Sequence, residues 1–536
     1  IRADRAAVIV DGRYTVQVRL QVSAADFSYH GLPAERPVDW LRGQLDAGAR
    51  VFVDPRLCSL EWFEATRGEL AGAGIEVVAG TDNPVDRCWQ DRPAERAAGA
   101  RCLAEAYTGE TSLSKRERIG RDVAEAGADA ALIFAPDSVS WLLNVRGRDV
   151  PRLPVLLSWA MLERDGTLHL VVDERRVPAG FDDHVGPGVQ RVAPAEGEAL
   201  LARFTGRRVL ADPATANAWT QLALREAGAG LIAGEDPVQL PKACKNGTEL
   251  AGARAAHRRD AVAVVRFLAW LDREVAEGRL HDEAALADRL TALRSEGEDF
   301  QEPSFDTISA AAANGAMCHY NHLDNEPGSL QEGSLYLVDS GGQYLDGTTD
   351  ITRTVAIGTP TDEMRELFTL VLKGHIALDE ARFPPGTTGT HLDALARQFL
   401  WRSGRDYDHG TGHGVGAFLS VHEGPQRISR VWSATALRPG MILSNEPGYY
   451  RDGAFGIRCE NLVYVREVDG EGERPMLCFE PLTLVPFDRR LLAPELLSPG
   501  ERAWINAYHE RVAREIGPLL TEAGDRGWLD AATRPL

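Results

Sequence analysis

The sequence predicts an α/β (α+β) chain in three parts, two α/β modules followed by a larger region that carries the chemistry. Three observations lead there. A length of 536 residues, 44% of them hydrophobic, is enough for two to four domains of roughly 100–200 residues, each with its own core. Strand-like and amphipathic runs alternate twice before residue 240. After residue 300 the texture changes to Gly-rich turns between short strands, and most of the chemically suggestive polar residues lie there.

Taken in order, AAVIVDGRYTVQVRLQV (6–22) alternates with period two after a D-G turn and reads as a hairpin. Strand-like VFVD (51–54), an amphipathic stretch near 59–72 and strand-like IEVVAG (75–80) follow, which suggests a mixed sheet covered by helices. The polar stretch around NPVDRCWQDRPAE breaks the pattern with two prolines, so 82–104 reads as a linker. A second round comprises a helix near 114–126, the strand ALIFA (131–135), the apolar run PVLLSWAML (154–162), the strand LHLVVD (168–173) and RRVLAD (207–212). The expected domains are therefore 1–104, 105–240 and 241–536. The third opens with a long helix over 245–278, with Val262, Val265, Leu268, Ala269 and Leu271 on or near one face.

Composition narrows the function. A net charge of −20 repels phosphate backbones and anionic membranes, so neither nucleic acid nor a membrane is expected as a partner. The seven cysteines include no C-x-x-C pair and are odd in number, which suits a reducing, cytoplasmic compartment. No apolar run approaches the roughly 18–20 residues of a membrane helix. The chain opens on Ile1, not Met, which leaves upstream sequence and a targeting segment open.

In LYLVDSGGQYLDGTTDITRTVAIG (335–358), two strand-like runs joined by a Gly-rich turn can bring Asp339 and Asp350 to one point. Alone this is weak, because Asp in a D-G or D-S turn is usually a turn former. HGTGHGVGAFLSVHEGP (409–425) strengthens it: His409, His413 and His422 are three of thirteen histidines within fourteen residues, a clustering that a solvated loop does not require. Glycines between them let side chains crowd a small ligand. Glu446 ends a strand in ILSNEPGYY, and Glu460 sits inside the strand pattern FGIRCENLVYV, where an unpaired acid is costly to bury. Four carboxylates and one imidazole suit divalent metal, and their charge exceeds what one ion neutralises, so two ions are the natural count. The lack of thiolate partners argues against structural zinc.

The ordered set Asp339, Asp350, His413, Glu446, Glu460, at spacings of 11, 63, 33 and 14, resembles the metal signature of the pita-bread metallopeptidases. The words DGTTDITRT, HGTGHGVGAFLSVHEGP, NEPGYY and FGIRCEN resemble more closely the aminopeptidase P family of long, three-domain, cytosolic X-Pro aminopeptidases. VDGRYTVQ, WLLNVRGRDV (141–150) and FEPLTLVPFDRRLL (479–492) extend the likeness over the whole chain. It implies two creatinase-like N-terminal α/β domains followed by a pita-bread catalytic domain, with the first strands of domain one lying upstream of this sequence. It also implies a homodimer.

Carried onto these positions, the resemblance makes Asp339 a ligand of one metal, His413 and Glu446 ligands of the other, and Asp350 and Glu460 the bridges. It places His319, His409 and His422 around the scissile bond as non-ligand catalytic histidines, and Arg458 as a support of the site. A Gly-flanked histidine can also simply cap a turn, but the functional reading is preferred for all three. Cys459 stands where the family more often has an apolar residue, and strand alternation aims it away from the metals.

The implied reaction releases the first residue from peptides with proline second, by a hydroxide held between two ions, most readily Mn2+ given the carboxylates, with Co2+ and Zn2+ as alternatives. Within it His422 polarises the carbonyl, Glu446 accepts and passes on the nucleophile's proton, and His319 holds the proline side. The rivals are prolidase, which cuts X-Pro dipeptides, and a metal-free pita-bread module that only binds; the latter and a creatinase-like amidinohydrolase are disfavoured because all five ligand types are present.

Overall fold

A computed structural model describes residues 5–80, 82–468, 470 and 472–536, so Ile1 lies outside the described residues. The chain forms two compact units: residues up to Ile9 with Ser28–Lys242, and Val10–Phe27 with Ala243–Leu536.

The first unit contains a mixed six-stranded sheet in the order Val189–Val192, Leu168–Val172, Ser158–Glu163, Ala130–Ile133, Arg208–Ala211, Gly230–Ala233. Its middle pairings are antiparallel and its outer ones parallel. The fully buried runs AALI and LHLVV explain why these strands read as continuous apolar stretches. Two parallel strands, Arg50–Val53 and Glu76–Ala79, pack with the Leu60–Ala71 helix, and their core of Val38, Leu60, Phe63 and Leu70 also takes in Ala218. Among the described residues of the stretch after Ala79, the regular structure before the Arg101–Cys102 strand is a five-residue helix, Pro84–Cys88.

The hairpin expected over 6–22 does not form. Ala6–Val10 is a strand, but it pairs with Phe27–Gly31, while Gly12–Tyr14 is a 3-10 turn and Gln17–Gln21 a short helix. Asp11 explains the break: its side chain accepts from the Arg13 amide and starts a helical turn where a hairpin would need strand pairing.

The second unit opens with the Gly247–Ala276 helix, started by a capping box in which Asn246 and Glu249 satisfy each other's backbone amides. Val265, Leu268, Ala269 and Leu271 are buried and Val262 is partly buried, as the helical face requires. Of the antiparallel sheets that follow, two matter below. The first runs Ile308–Ala311, Ser334–Ser340, Ile351–Ile357; the second runs Arg382–Phe383, Leu477–Pro481, Asn461–Glu467, Ile442–Asn445, Gly412–Gly414, Glu423–Ile428. A large core of Val265, Leu268, Tyr336, Phe368, Ile457, Phe487 and Ile505 joins sheets and helices. The second unit is thus α+β and the first α/β, in keeping with the fold class the sequence predicts. Among the described residues, no helix is long and apolar enough to cross a membrane.

Candidate metal centre

Each sequence-predicted ligand stands on or beside a strand of the second unit. Asp339 lies on the Ser334–Ser340 strand, opposite Thr352 of the neighbouring strand, and Asp350 immediately precedes that neighbour. His413 is the centre of the three-residue strand Gly412–Gly414, and Glu446 directly follows Ile442–Asn445. Glu460 is not inside a strand: it ends the two-residue break between Phe455–Arg458 and Asn461–Glu467, where ladder pairing lapses and the side chain can turn inward. Cys459, the other residue of that break, is buried in the main hydrophobic core.

The glycines around His413 have a steric cause. A Cβ on Gly412 would overlap the Ser444 carbonyl and one on Gly414 the Glu423 carbonyl, so only glycine lets this strand approach its neighbours so closely.

Asp350, His413 and Glu460 present donor atoms that all lie within 4.8 Å of one another. His413 Nε2 is 3.5 Å from Asp350 Oδ2 and 3.5 Å from Glu446 Oε1. Its Nδ1–H donates to the Gly414 carbonyl at 2.9 Å, so the Nε2 lone pair faces acid oxygens. Acceptor against acceptor is repulsive, and a cation among them reverses the sign of every contact. Asp339 Oδ1 is likewise buried without a hydrogen-bond partner. Burial, then the charges of Asp339 and Glu446, raise the Asp350 carboxyl well above its usual range; burial, then Asp350, Asp339 and Glu446, do the same for Glu460. Glu446 is raised too, chiefly by burial, against the opposing pull of His413 and Arg458. Crowded, desolvated acids facing one imidazole lone pair fit a divalent-metal site.

Around these groups runs a hydrogen-bond shell. Arg458 donates from Nη2 to Asp339 Oδ2 at 2.6 Å, from Nη1 to the Tyr450 hydroxyl at 2.7 Å and from Nε to Thr352 Oγ1 at 3.0 Å. Thr352 passes its own proton to Glu460 Oε2 at 2.7 Å, and Ser444 donates to Glu446 Oε1 at 3.0 Å. Arg353, fully buried, holds the Glu460 carbonyl from Nη1 at 2.6 Å and the Val485 carbonyl from Nη2 at 2.6 Å, tying the FEPLTLVP segment to the site. Tyr450, Thr352, Ser444 and Arg353 were not singled out from the sequence. The signal available was their place inside NEPGYY, DITRT and ILSNEPGYY, yet hydroxyls and a guanidinium carry no spacing rule of their own.

The three histidines expected from the sequence to surround the site without ligating differ. His409 is buried and uses both ring nitrogens: Nδ1–H donates to the Gly410 carbonyl at 2.7 Å, and Nε2 accepts from Tyr450 at 2.8 Å, because the Tyr450 oxygen already receives Arg458. Burial, then Arg458, keep it neutral. His422 meets His413 edge to face, ring centroids 4.4 Å apart, and is otherwise exposed. The protein packed around it, then His413, lower its pKa, an effect that water at its open edge weakens. His319 follows the 3-10 turn Ala312–Ala316, and burial with Arg458 and Arg13 pushes it down to about 4.

Comparison with known proteins agrees with this geometry. Residues 251–467 match metallopeptidase family M24, 91–249 the creatinase/prolidase N-terminal domain and 475–536 the C-terminal region of peptidase M24. A curated relative, aminopeptidase P2 of Arabidopsis thaliana, is 38% identical over 100% of this chain and 81% of its own length. The chain belongs to metallopeptidase family M24. Other M24 relatives include the probable Xaa-Pro aminopeptidase P of Tuber melanosporum, 37% identical over 100% of this chain and 90% of its own. Among solved structures, the X-prolyl aminopeptidase of Caenorhabditis elegans, described as a cytosolic enzyme with a di-nuclear active site, superposes with a TM-score of 0.96 at 34% identity, covering 100% of this chain and 89% of that one. The prolidase of Pyrococcus furiosus shares the M24 fold at TM-score 0.51 and 23% identity over 68% of this chain.

Proposed function

We infer that this protein is a metallo-aminopeptidase that hydrolyses the X-Pro bond at the N-terminus of peptides. The observation that carries the reading is the gathering of Asp350, His413 and Glu460 around one point in a chain that matches an X-prolyl aminopeptidase from end to end. The likeness to prolidase stops short of the whole chain, so the dipeptidase reading is second.

The residues that would hold two ions are Asp339, Asp350, His413, Glu446 and Glu460, with Asp350 and Glu460 as the bridges. When bound, the ions lower the pKa of water and polarise the substrate carbonyl. The protein does the rest. Glu446, steadied through Oε1 by Ser444, accepts a proton from the attacking water and passes it to the leaving nitrogen. His422, neutral beside His413, donates to the carbonyl oxygen as charge develops there. His319 holds the proline side. His409 acts through Tyr450, whose hydroxyl completes a chain from Asp339 through Arg458. The acid cluster attracts the free α-amino group, and a proline-shaped pocket accepts an amide that has no N–H to donate.

Carboxylate richness favours Mn2+ over Co2+ or Zn2+. The family resemblance supports a homodimer, a cytoplasmic location and domains at 1–104, 105–240 and 241–536. Metal analysis of the purified protein beside an assay on X-Pro-Y, X-Ala-Y, acetyl-X-Pro-Y and X-Pro tests the reading. X-Pro-Y should be cleaved best by far. Efficient cleavage of X-Pro alone would favour prolidase, cleavage of X-Ala-Y a broader aminopeptidase, and cleavage of the acetylated peptide would defeat the exopeptidase reading.

A further inference from the structure

Val10–Phe27 belongs to the second compact unit, although the chain does not return to that unit until Ala243. The segment is braced at its start. Asp11 caps the Gly12–Tyr14 turn, and Arg13 reaches back with Nε to Oδ1 at 2.9 Å and Nη2 to Oδ2 at 2.6 Å. The same guanidinium lies over the Tyr14 ring, 5.5 Å from its centroid. Gly12 sits against Asp408, where a Cβ would overlap the Asp408 side chain, so the turn abuts the chain entering His409.

So held, Tyr14 meets a residue 305 positions away. Its hydroxyl lies 2.9 Å from His319 Nδ1, and the rings stand edge to face with centroids 5.3 Å apart. A phenol is the stronger acid of the two and an imidazole nitrogen the stronger base, so Tyr14 donates and Nδ1 accepts. The ring proton of neutral His319 must then sit on Nε2, which has no partner among the described residues. Because burial and nearby Arg458 and Arg13 depress His319 to about 4, the ring is neutral at working pH and its tautomer decides whether it donates or accepts.

We propose that Tyr14 is a positioning residue of the peptidase reaction: its hydroxyl fixes the Nε2–H tautomer and orientation of His319, so that this N–H serves the substrate. The proposal rests on the aminopeptidase reading and adds to the site a residue from the opposite end of the chain. Without the Tyr14 proton, both tautomers of His319 become accessible, and only one donates from Nε2.

Tyr14→Phe keeps the ring contact and removes the hydroxyl. In the metal-loaded full chain it should lower kcat for X-Pro-Y about tenfold, with metal content unchanged. In a His319→Ala background it should add no further loss. Nitrogen NMR of histidine-labelled, zinc-loaded protein, with His319 assigned through His319→Ala, should show the Nε2–H form in the wild type and a mixture in Tyr14→Phe. Wild-type kinetics in Tyr14→Phe, additive losses in the double variant, or an Nδ1–H tautomer in the wild type would each overturn the proposal. A wild type inert toward X-Pro-Y would sink the aminopeptidase reading instead, while the tautomer spectrum would still decide the Tyr14–His319 relationship.

Discussion

The Arg458 guanidinium donates to Asp339 Oδ2 at 2.6 Å from a position that is almost wholly buried, and it reaches Tyr450 and Thr352 with its other nitrogens. One cation thus orients a carboxylate of the proposed ligand set while compensating part of the negative charge crowded beside it. The planar fork matters as much as the charge, because three acceptors lie in different directions.

Arg458→Lys should therefore fail to restore what Arg458→Ala loses. A single ammonium cannot serve Asp339, Tyr450 and Thr352 together, and we expect both variants to fall by about ten- to a hundredfold in kcat/KM. Steady-state kinetics on X-Pro-Y settle the matter, and a lysine variant at wild-type activity would reduce Arg458 to a counter-charge.

Chelation should abolish hydrolysis, and added divalent metal should restore it. Asp350→Asn should lower metal occupancy, since a neutral amide cannot bridge two cations with two anionic oxygens. Elemental analysis reads this directly; two ions per chain in the variant would refute the bridging role.

The metal-free protein should lose stability as pH rises. Asp350 and Glu460 have folded-state pKa values raised, first by burial and then by neighbouring acids, well above the ordinary carboxylate range. The unfolded chain gives up these protons earlier. The stabilisation they provide is thus complete below the ordinary carboxylate pKa and is lost as pH climbs toward the raised values, at about 1.4 kcal/mol per unit and group. Between about pH 6 and pH 8 the Tm of chelated wild type should fall more than that of chelated Asp350→Asn, whose amide cannot ionise. Equal slopes would count against the crowding of these acids.

His422→Ala should cut kcat on the order of a hundredfold while leaving the metals in place, because the proposed mechanism gives His422, edge to face with His413, a transition-state role and not a ligand's. Unchanged kinetics would leave it a turn residue, and loss of metal would make it a ligand.

Much of the candidate site was legible in the chain because acids and imidazoles are conspicuous where they do not belong. Glu446 and Glu460 interrupt apolar strand patterns, and His413 stands between glycines that neighbouring carbonyls leave no room to replace. The long helix was legible for a similar local reason, its cap and apolar face both being written within one segment. The opening segment was misread because strand alternation in VQVRLQV is a local signal, whereas the Asp11 cap and the pairing of Ala6–Val10 with Phe27–Gly31 override it.

By itself, then, the sequence determined which side chains can carry the chemistry, since residue type and spacing along strands are properties of the chain. The tertiary structure decided which atoms face one another: that Glu460 sits in a break and not in a strand, that His409 spends both nitrogens on Gly410 and Tyr450, and that Tyr14 reaches His319. The His409–Tyr450 contact spans 41 positions and the Tyr14–His319 contact 305, and no local pattern encodes either.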